Sequence, residues 1–381
     1  MKQSFNINID QSVLNDLTNR LAQTRWPDEI PNTGWQYGAN LAYIKELCNY
    51  WQTSFNWRQC ETWLNSFAHF KSTINGTGIH FIHEKGKGKT TAPFLLTHGF
   101  PDSFARFLKL IPLLTVADEH GLSFDMIIPS IPGYGFSDKP DKPGRTPKQM
   151  ADLFDTLMTQ ELGYHQYFAH GGDWGSSITE QLAVNHPGNL LGIHLTDIPY
   201  HHLFAIPPND LTEPEKKFLE AGKKWQMAEG AYDMIQSTTP QTAAYGLNDS
   251  PAGLAAWIVE KFYRWGDCQG NIENCFTKDE LLTNLTIYWA TQTINSAMRI
   301  YYETARNPPG NALKKMNTPT GAAIFPKDLV CAPREFGERI YNIKHWTNMP
   351  KGGHFAAMEQ PVLLAEDIRK FTSLCITSTN H

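Results

Sequence analysis

The chain has 381 residues, of which 33 are Lys or Arg and 38 are Asp or Glu, giving a formal net charge of −5. That length can bury a large core and argues against a small binding module, while the absence of any long Lys/Arg run argues against a phosphate-tracking surface and so against nucleic acid as a partner. Six cysteines (Cys48, Cys60, Cys268, Cys275, Cys331, Cys375) are scattered without a Cys-x-x-Cys pair, which argues against a zinc site and against a disulfide framework.

The opening stretch, MKQSFNINIDQSVLNDL, has polar residues every few positions and lacks the apolar core of a signal peptide. No later apolar run reaches bilayer-spanning length, so the expectation is a cytoplasmic protein with no membrane partner. Residues 1–75 read as a helical extension. Asp10 caps a helix with Val13, Leu14, Leu17 and Leu21 on one face, ending at Pro27, and Leu41, Ile44, Leu47, Tyr50 and Trp51 form the stripe of the next helical pair. In HFKSTINGTGIHFIHEK the pattern changes to alternation around Asn75-Gly76, a strong hairpin signal.

Three nearly continuous apolar runs follow, PFLLTH (93–98), FDMIIPS (124–130) and QYFAHG (166–171), as expected for strands buried on both faces of a parallel sheet. Between the second and third, Thr146 caps a helix with Pro147 at its first position and Met150, Leu153, Phe154, Leu157 and Met158 on its buried side. LLGIHLTDI (190–198) is a further strand. Residues 76–198 thus read as the first part of a layered α/β core. From 199 to 306 the pattern is helical only, PAGLAAWIVEKFYRW being its clearest segment, which marks a cap inserted into the sheet. Residues 307–381 return to strands at GAAIFP (321–326) and RIYNIKHW (339–346) and end in the helix PVLLAEDIRKFTSL. The predicted class is α/β, with a mostly parallel sheet, a helical cap and an N-terminal helical extension.

Four motifs fall at strand ends, where ligands bind on such sheets. They are HGFPDS (98–103), the turn AHGGDWGSSI around Asp173, Asp328 in IFPKDL, and His354 in MPKGGHF. The chain order of nucleophile, acid and histidine is that of the α/β hydrolases, except that the middle of the Gly-x-x-x-Gly turn is an aspartate instead of a serine. An aspartate is already an anion at neutral pH, so it can attack a saturated electrophilic carbon and form an ester. His354 would then activate water, with Asp328 orienting its imidazole, and the backbone N–H groups of Phe100 and Trp174 are the expected donors to the oxyanion. Glu335 and Glu338 are fallback candidates for the acid. Singly, an Asp between glycines is a turn residue and a GGH triplet is a loop; the joint order at successive strand ends is what carries the reading. GKGKTT (86–91) lacks the first glycine of a phosphate loop and reads as a hairpin or surface connection. His80 and His83 point to opposite strand faces, so neither signals a metal, and no cofactor is expected.

These residues resemble the α/β-hydrolase epoxide hydrolases, and within them the branch like the microsomal enzymes that carries an N-terminal helical extension. The resemblance runs through GWQYGANLAYIKELCNYW, HFKSTINGTGIHFIH, HGFPDS, IPGYGFSDKP, GGDWGS, LNDSPAGLAAWIVEKF and GGHFAAMEQP. It implies that His98, Gly99, Phe100 and Pro101 form the oxyanion loop, that Asp173, Asp328 and His354 form the triad, and that two cap tyrosines, Tyr232 and Tyr301, donate hydrogen bonds to the epoxide oxygen. Phenols suit that role, because ring opening creates an alkoxide that needs a proton. Tyr302 would face elsewhere. The membrane anchor of the microsomal members is not seen, and Asp328 stands where several relatives have Glu. The implied partners are a small apolar epoxide and water, and a homodimer is left open. Trp257, Phe262 and Trp265 hint at a bulky apolar substrate, or else simply pack the cap. A haloalkane dehalogenase using the same triad is the rival enzyme; a ligand-binding protein without turnover is the reading from another class.

Overall fold

The computed structural model describes residues 2–202, 204–310 and 313–379. Among these, nine strands form one sheet in the order β1-β2-β3-β5-β4-β6-β7-β8-β9. They are β1 (Gln3–Ser4), β2 (His69–Ile74), β3 (Thr77–Glu84), β4 (Thr90–Thr97), β5 (Leu122–Pro129), β6 (Tyr167–Gly171), β7 (Leu190–Leu195), β8 (Pro319–Ile324) and β9 (Asn342–Asn348). Asn75 and Gly76 take φ of 50° and 79°, the doubly left-handed backbone that a tight two-residue hairpin needs, and they fold β2 onto β3. β1 to β3 pair antiparallel, β3 joins β5 antiparallel, and from β5 to β9 every pairing is parallel.

The central strands are covered on both sides, which is why their sequences are apolar runs without polar alternation. All eight residues of β5 are buried. Alternate residues feed two separate cores: Leu95, Ile127 and Ala169 face one with Met150 and Phe154, while Phe94, Met126 and Phe168 face the other with Ile368 and Phe371. The helix Pro147–Thr156 begins as its sequence dictates, with Thr146 and Gln149 forming a reciprocal cap and Met150, Leu153 and Phe154 buried.

The extension contains α1 (Gln11–Ala22), α2 (Leu41–Thr53) and α3 (Trp57–Leu64), and Asp10 caps α1 through Ser12 N at 2.8 Å. α1 leaves the helix at Gln23, short of Pro27. The extension is fastened to the cap helices by stacking of Trp35 on Tyr263 (centroids 4.0 Å apart), by Trp51 Nε1–H donating to Thr286 Oγ1 at 2.9 Å, and by an Arg20–Asp249 ion pair at 2.6 Å. The cap helices run from Glu213 to Arg306. Among the described residues no helix is long and apolar enough to cross a membrane.

Two local expectations are corrected and a third is narrowed. Residues 1–75 hold, besides their helices, the hairpin strand β2 expected before Asn75 and the strand β1, which was not expected and extends the sheet edge beyond β2. GKGKTT, read as a hairpin or a surface connection, is the second of these: it leads along the surface from β3 to β4, which are not sheet neighbours because β5 lies between them. The segment read as a strand from Arg339 begins as the end of a helix, Arg334–Ile340, whose Phe336 and Ile340 are buried, and β9 starts only at Asn342.

Candidate active site

β6 delivers the chain into a turn that only a crowded, glycine-rich sequence can make. Asp173 sits at φ 60°, ψ −129°, a strained backbone for a residue with a side chain, and the helix Trp174–Asn185 starts directly behind it. A Cβ on Gly175 would collide with the Thr97 carbonyl of β4, and one on Gly99 would collide with the Asp173 carboxylate itself. Glycine at both positions therefore lets the turn and the His98–Pro101 loop close on one another.

The result is a cradle for a single oxygen. Asp173 Oδ1 accepts the Phe100 N–H at 2.8 Å and the Trp174 N–H at 2.7 Å, the two donors expected from the sequence. The loop is braced from behind. Gly99 N–H donates to Asp102 at 3.0 Å, His98 Nε2 accepts the Ile131 N–H at 3.1 Å, and Asn284 of the cap donates to the Pro101 carbonyl at 2.8 Å. His98 is thus a buried brace, with the peptide between Phe100 and Pro101 in the cis form.

His354 completes the constellation. Its Nδ1 lies 2.6 Å from Asp328 Oδ1, and its Nε2 lies 3.4 Å from Asp173 Oδ2, an ion-pair contact without a well-directed hydrogen bond. Glu335 and Glu338 are engaged elsewhere, with Thr212 and Arg334, so Asp328 is the carboxylate that meets the histidine. Burial alone would lower the imidazole pKa, but Asp328 and then Asp173 outweigh it and raise it to about 10.

Beneath the site runs a buried pair. Arg106 donates to Asp102 and to the His354 carbonyl, both at 2.5 Å, and holds Asp102 near pKa 2 against the cost of its burial. Arg106→Met should therefore cost ~3–5 kcal/mol of unfolding free energy by leaving Asp102 buried and unpaired. A urea titration that gives the wild-type midpoint would contradict this.

Tyr232 and Tyr301 are both buried, with ring centroids 5.9 Å apart, and Tyr301 meets the Trp174 ring edge-on at 4.7 Å. Burial, followed by Tyr232 and Asp173, pushes the Tyr301 phenol well above its usual pKa, so it remains a donor. Tyr302 faces away, under the Arg306 guanidinium. A cavity of about 350 Å³ joins the two tyrosines to Asp173, Asp328 and His354, with Trp174, Phe218 and Trp225 among its walls. Trp257, Phe262 and Trp265 are not in those walls; Phe262 stacks on Phe355, and Trp265 packs beside Tyr232.

Among the described residues one cluster has ligand atoms close enough for a cation, Glu180 with His201 and His202. Glu180 and His202 are held in it by hydrogen bonds within the protein, and His201 Nε2 lies 3.4 Å from Glu180 Oε1. The Leu313 N–H donates to His202 Nδ1, leaving the imidazole proton on Nε2 to donate to Glu180 Oε2 at 2.6 Å, and the Tyr341 hydroxyl donates to the same oxygen.

Comparison with known proteins shows the family. Residues 2–107 match the family described as the epoxide hydrolase N terminus, and residues 92–244 match the alpha/beta hydrolase fold. Over 401 residues, covering 97% of this chain and 88% of the other, the chain is 38% identical to Epoxide hydrolase 1 of the pig, Sus scrofa. The chain belongs to the epoxide hydrolases. Its fold superposes on the juvenile hormone epoxide hydrolase of the silkworm Bombyx mori with a TM-score of 0.87 at 30% identity, covering 99% of this chain and 94% of that one. The Aspergillus niger epoxide hydrolase gives 0.86 at 29%, covering 98% and 96%. The N-terminal match spans the extension and the HGFPDS loop together, in keeping with the resemblance read from the sequence.

In this epoxide hydrolase, two groups beside the site escaped the sequence reading. Asp197, just beyond β7, accepts the backbone N–H of Asp173 at 2.8 Å. Asp233 lines the cap side of the cavity next to Tyr232, where burial raises its pKa. The signal for Asp197 was in plain view, a carboxylate following a buried strand, the same signal that singled out Asp328.

Proposed function

We propose that this epoxide hydrolase opens its substrate in two steps through an ester on Asp173. Oδ1 is committed to the two backbone N–H groups, which leaves Oδ2 to attack an epoxide carbon. As the new C–O bond forms, the ring C–O bond breaks, and the departing oxygen takes a proton from Tyr232 or Tyr301. The ester removes the negative charge of Asp173, one of the two carboxylates that raise the His354 pKa, so His354 loses its proton more easily at the stage where a base is needed. His354 then takes a proton from water as the water oxygen bonds to the Asp173 carboxyl carbon. The oxyanion develops on Oδ1, where the Phe100 and Trp174 N–H groups already point. Collapse breaks the ester C–O bond, the departing diol oxygen takes the proton held by His354, and the proton that water leaves on the Asp173 carboxyl returns to the tyrosine, so carboxylate and phenol are both restored. Epoxide and water are consumed and a vicinal diol is made.

The observation that carries this reading is the single carboxylate with one oxygen cradled by two amides and the other facing an Asp-paired histidine. The apolar walls Trp174, Phe218 and Trp225 support a small apolar epoxide as substrate. Incubation with styrene oxide should yield the phenyl-substituted diol; failure to turn over any of a panel of aryl and alkyl epoxides would refute the reading. A haloalkane-cleaving activity is the second reading, favoured by one feature: the buried Trp174 Nε1–H has no hydrogen-bond partner among the described residues and could face a halide. Halide release from a haloalkane with no diol from an epoxide would decide for it.

The tyrosines provide a sharper test. Tyr301→Phe and Tyr232→Phe should each slow ester formation by about 10–100-fold, and the double variant by much more, since one donor partly covers for the other. Rapid-quench measurement of the ester in all three variants checks this; a double variant no slower than either single one would remove the shared-donor role.

A further inference from the structure

Asp173 is anchored from two sides, and only the cradle in front belongs to the chemistry above. Behind it stands Asp197, two residues beyond β7. Its Oδ1 accepts the Asp173 backbone N–H at 2.8 Å and the Ser176 hydroxyl at 2.7 Å. One oxygen therefore ties the start of the turn to the first turn of the following helix. The Asp173 N–H lies outside that helix and its φ of 60° is strained, so the backbone needs an acceptor from elsewhere in the fold. The backbone between β6 and the end of β7 is also linked directly, by Thr196 N–H donating to the Gly171 carbonyl at 3.2 Å, so Asp197 is delivered by a rigid neighbour.

We propose that Asp197 is a positioning residue for ester formation, holding the strained Asp173 backbone so that Oδ1 stays in its amide cradle and Oδ2 faces the epoxide carbon. This rests on the reading of Asp173 as the nucleophile. An uncharged acceptor could make the same two bonds at lower cost, so the presence of an acid is itself informative. Burial, then the charge of Asp328, raise the Asp197 pKa to about 7, against the opposing pull of Ser176, His354 and the Asp173 N–H. The titratable groups around it are Asp173 beyond β6, Asp328 beyond β8, His354 beyond β9, and Tyr341, whose phenol is pushed up in part by Asp197. Near neutrality, proton loss strengthens the acceptor that holds Asp173.

The test compares Asp197→Ala, Asp197→Asn and Asp197→Ser with the wild type, all full-length. Readouts are the rapid-quench rate of ester formation on styrene oxide from pH 5 to 9, KM, and the thermal midpoint. Removing the acceptor in Asp197→Ala should slow ester formation by about tenfold or more with little change in KM, as a small misplacement of a reacting atom does. Asp197→Asn should recover much of that loss but lack the wild type's inflection near pH 7. A wild-type rate in Asp197→Ala would overturn the proposal. So would an Asn variant that loses as much as Ala and keeps the inflection, since that marks a purely structural role. If Asp197→Ala does not fold, the Asn and Ser variants carry the same two criteria. Ester on Asp173 in the wild type, measured alongside, upholds the nucleophile whatever Asp197 does; no ester in the wild type removes both readings.

Discussion

Replacing His354 with Gln should leave an enzyme that consumes about one epoxide per chain and then stops. Asp173 keeps its charge, its amide cradle and the facing tyrosines, so the first step survives. The second step loses its base, because a glutamine amide cannot take a proton from water, and general-base removal costs about 10²–10⁴-fold. The protein should then gain the mass of one epoxide, on the peptide that carries Asp173. Wild-type enzyme should approach the same state as pH falls. The group is a base whose neutral form does the work, so acid converts it to imidazolium, hydrolysis slows, and the fraction trapped as ester rises. Since Asp328 still faces His354 once the ester has formed, the inflection should lie above the ordinary histidine value. A His354→Gln variant that turns over freely, or a wild-type ester fraction that grows with rising pH, would contradict this assignment.

Asp173→Asn should lose more. The amide presents Oδ1 to the same two N–H donors and can still cap the helix behind it, so the fold and thermal midpoint should be nearly unchanged. What disappears is the anionic Oδ2, and with it the nucleophile. Diol formation should fall on the order of 10⁴-fold or more, as when the attacking group of a covalent mechanism is deleted. No adduct should form, and adding Asp173→Asn to His354→Gln should abolish the trapped species. Adduct persisting in that double variant would place the nucleophile elsewhere.

The site was legible where chemistry coincides with a strong local pattern. Asp173 lies where an apolar run, two glycines and a helix meet, Asp328 follows the buried strand β8 and His354 follows the edge strand β9; their meeting at 2.6 Å follows from parallel strands ending on one side. The cap tyrosines lacked such a pattern. Nothing in the periodicity of Ala231–Thr238 or Ile294–Arg306 separates a tyrosine facing a cavity from one packing a helix, and only resemblance selected them. Asp197 follows a buried strand as Asp328 does, but its role rests on a partner 24 residues away, the Asp173 N–H, and on a backbone strain that no propensity scale registers. Asp102 and Arg106, four apart, look like a surface helix pair, and only the fold buries them under the histidine. Two-residue β1 is too short to show any alternation. The aromatic residues near Trp265 hinted at substrate size but fill the cap interior, because aromatic content alone does not say which side of a helix meets a cavity.

In the two-step mechanism water attacks the Asp173 carboxyl carbon and never the substrate. A single turnover in H₂¹⁸O, with enzyme in excess over styrene oxide, tests it most directly. The added oxygen of the first-turnover diol should be unlabelled, having come from Asp173 Oδ2, and ¹⁸O should be recovered in the peptide that contains Asp173. Diol carrying ¹⁸O from the first turnover, with Asp173 unlabelled, would mean direct attack by water and would contradict it.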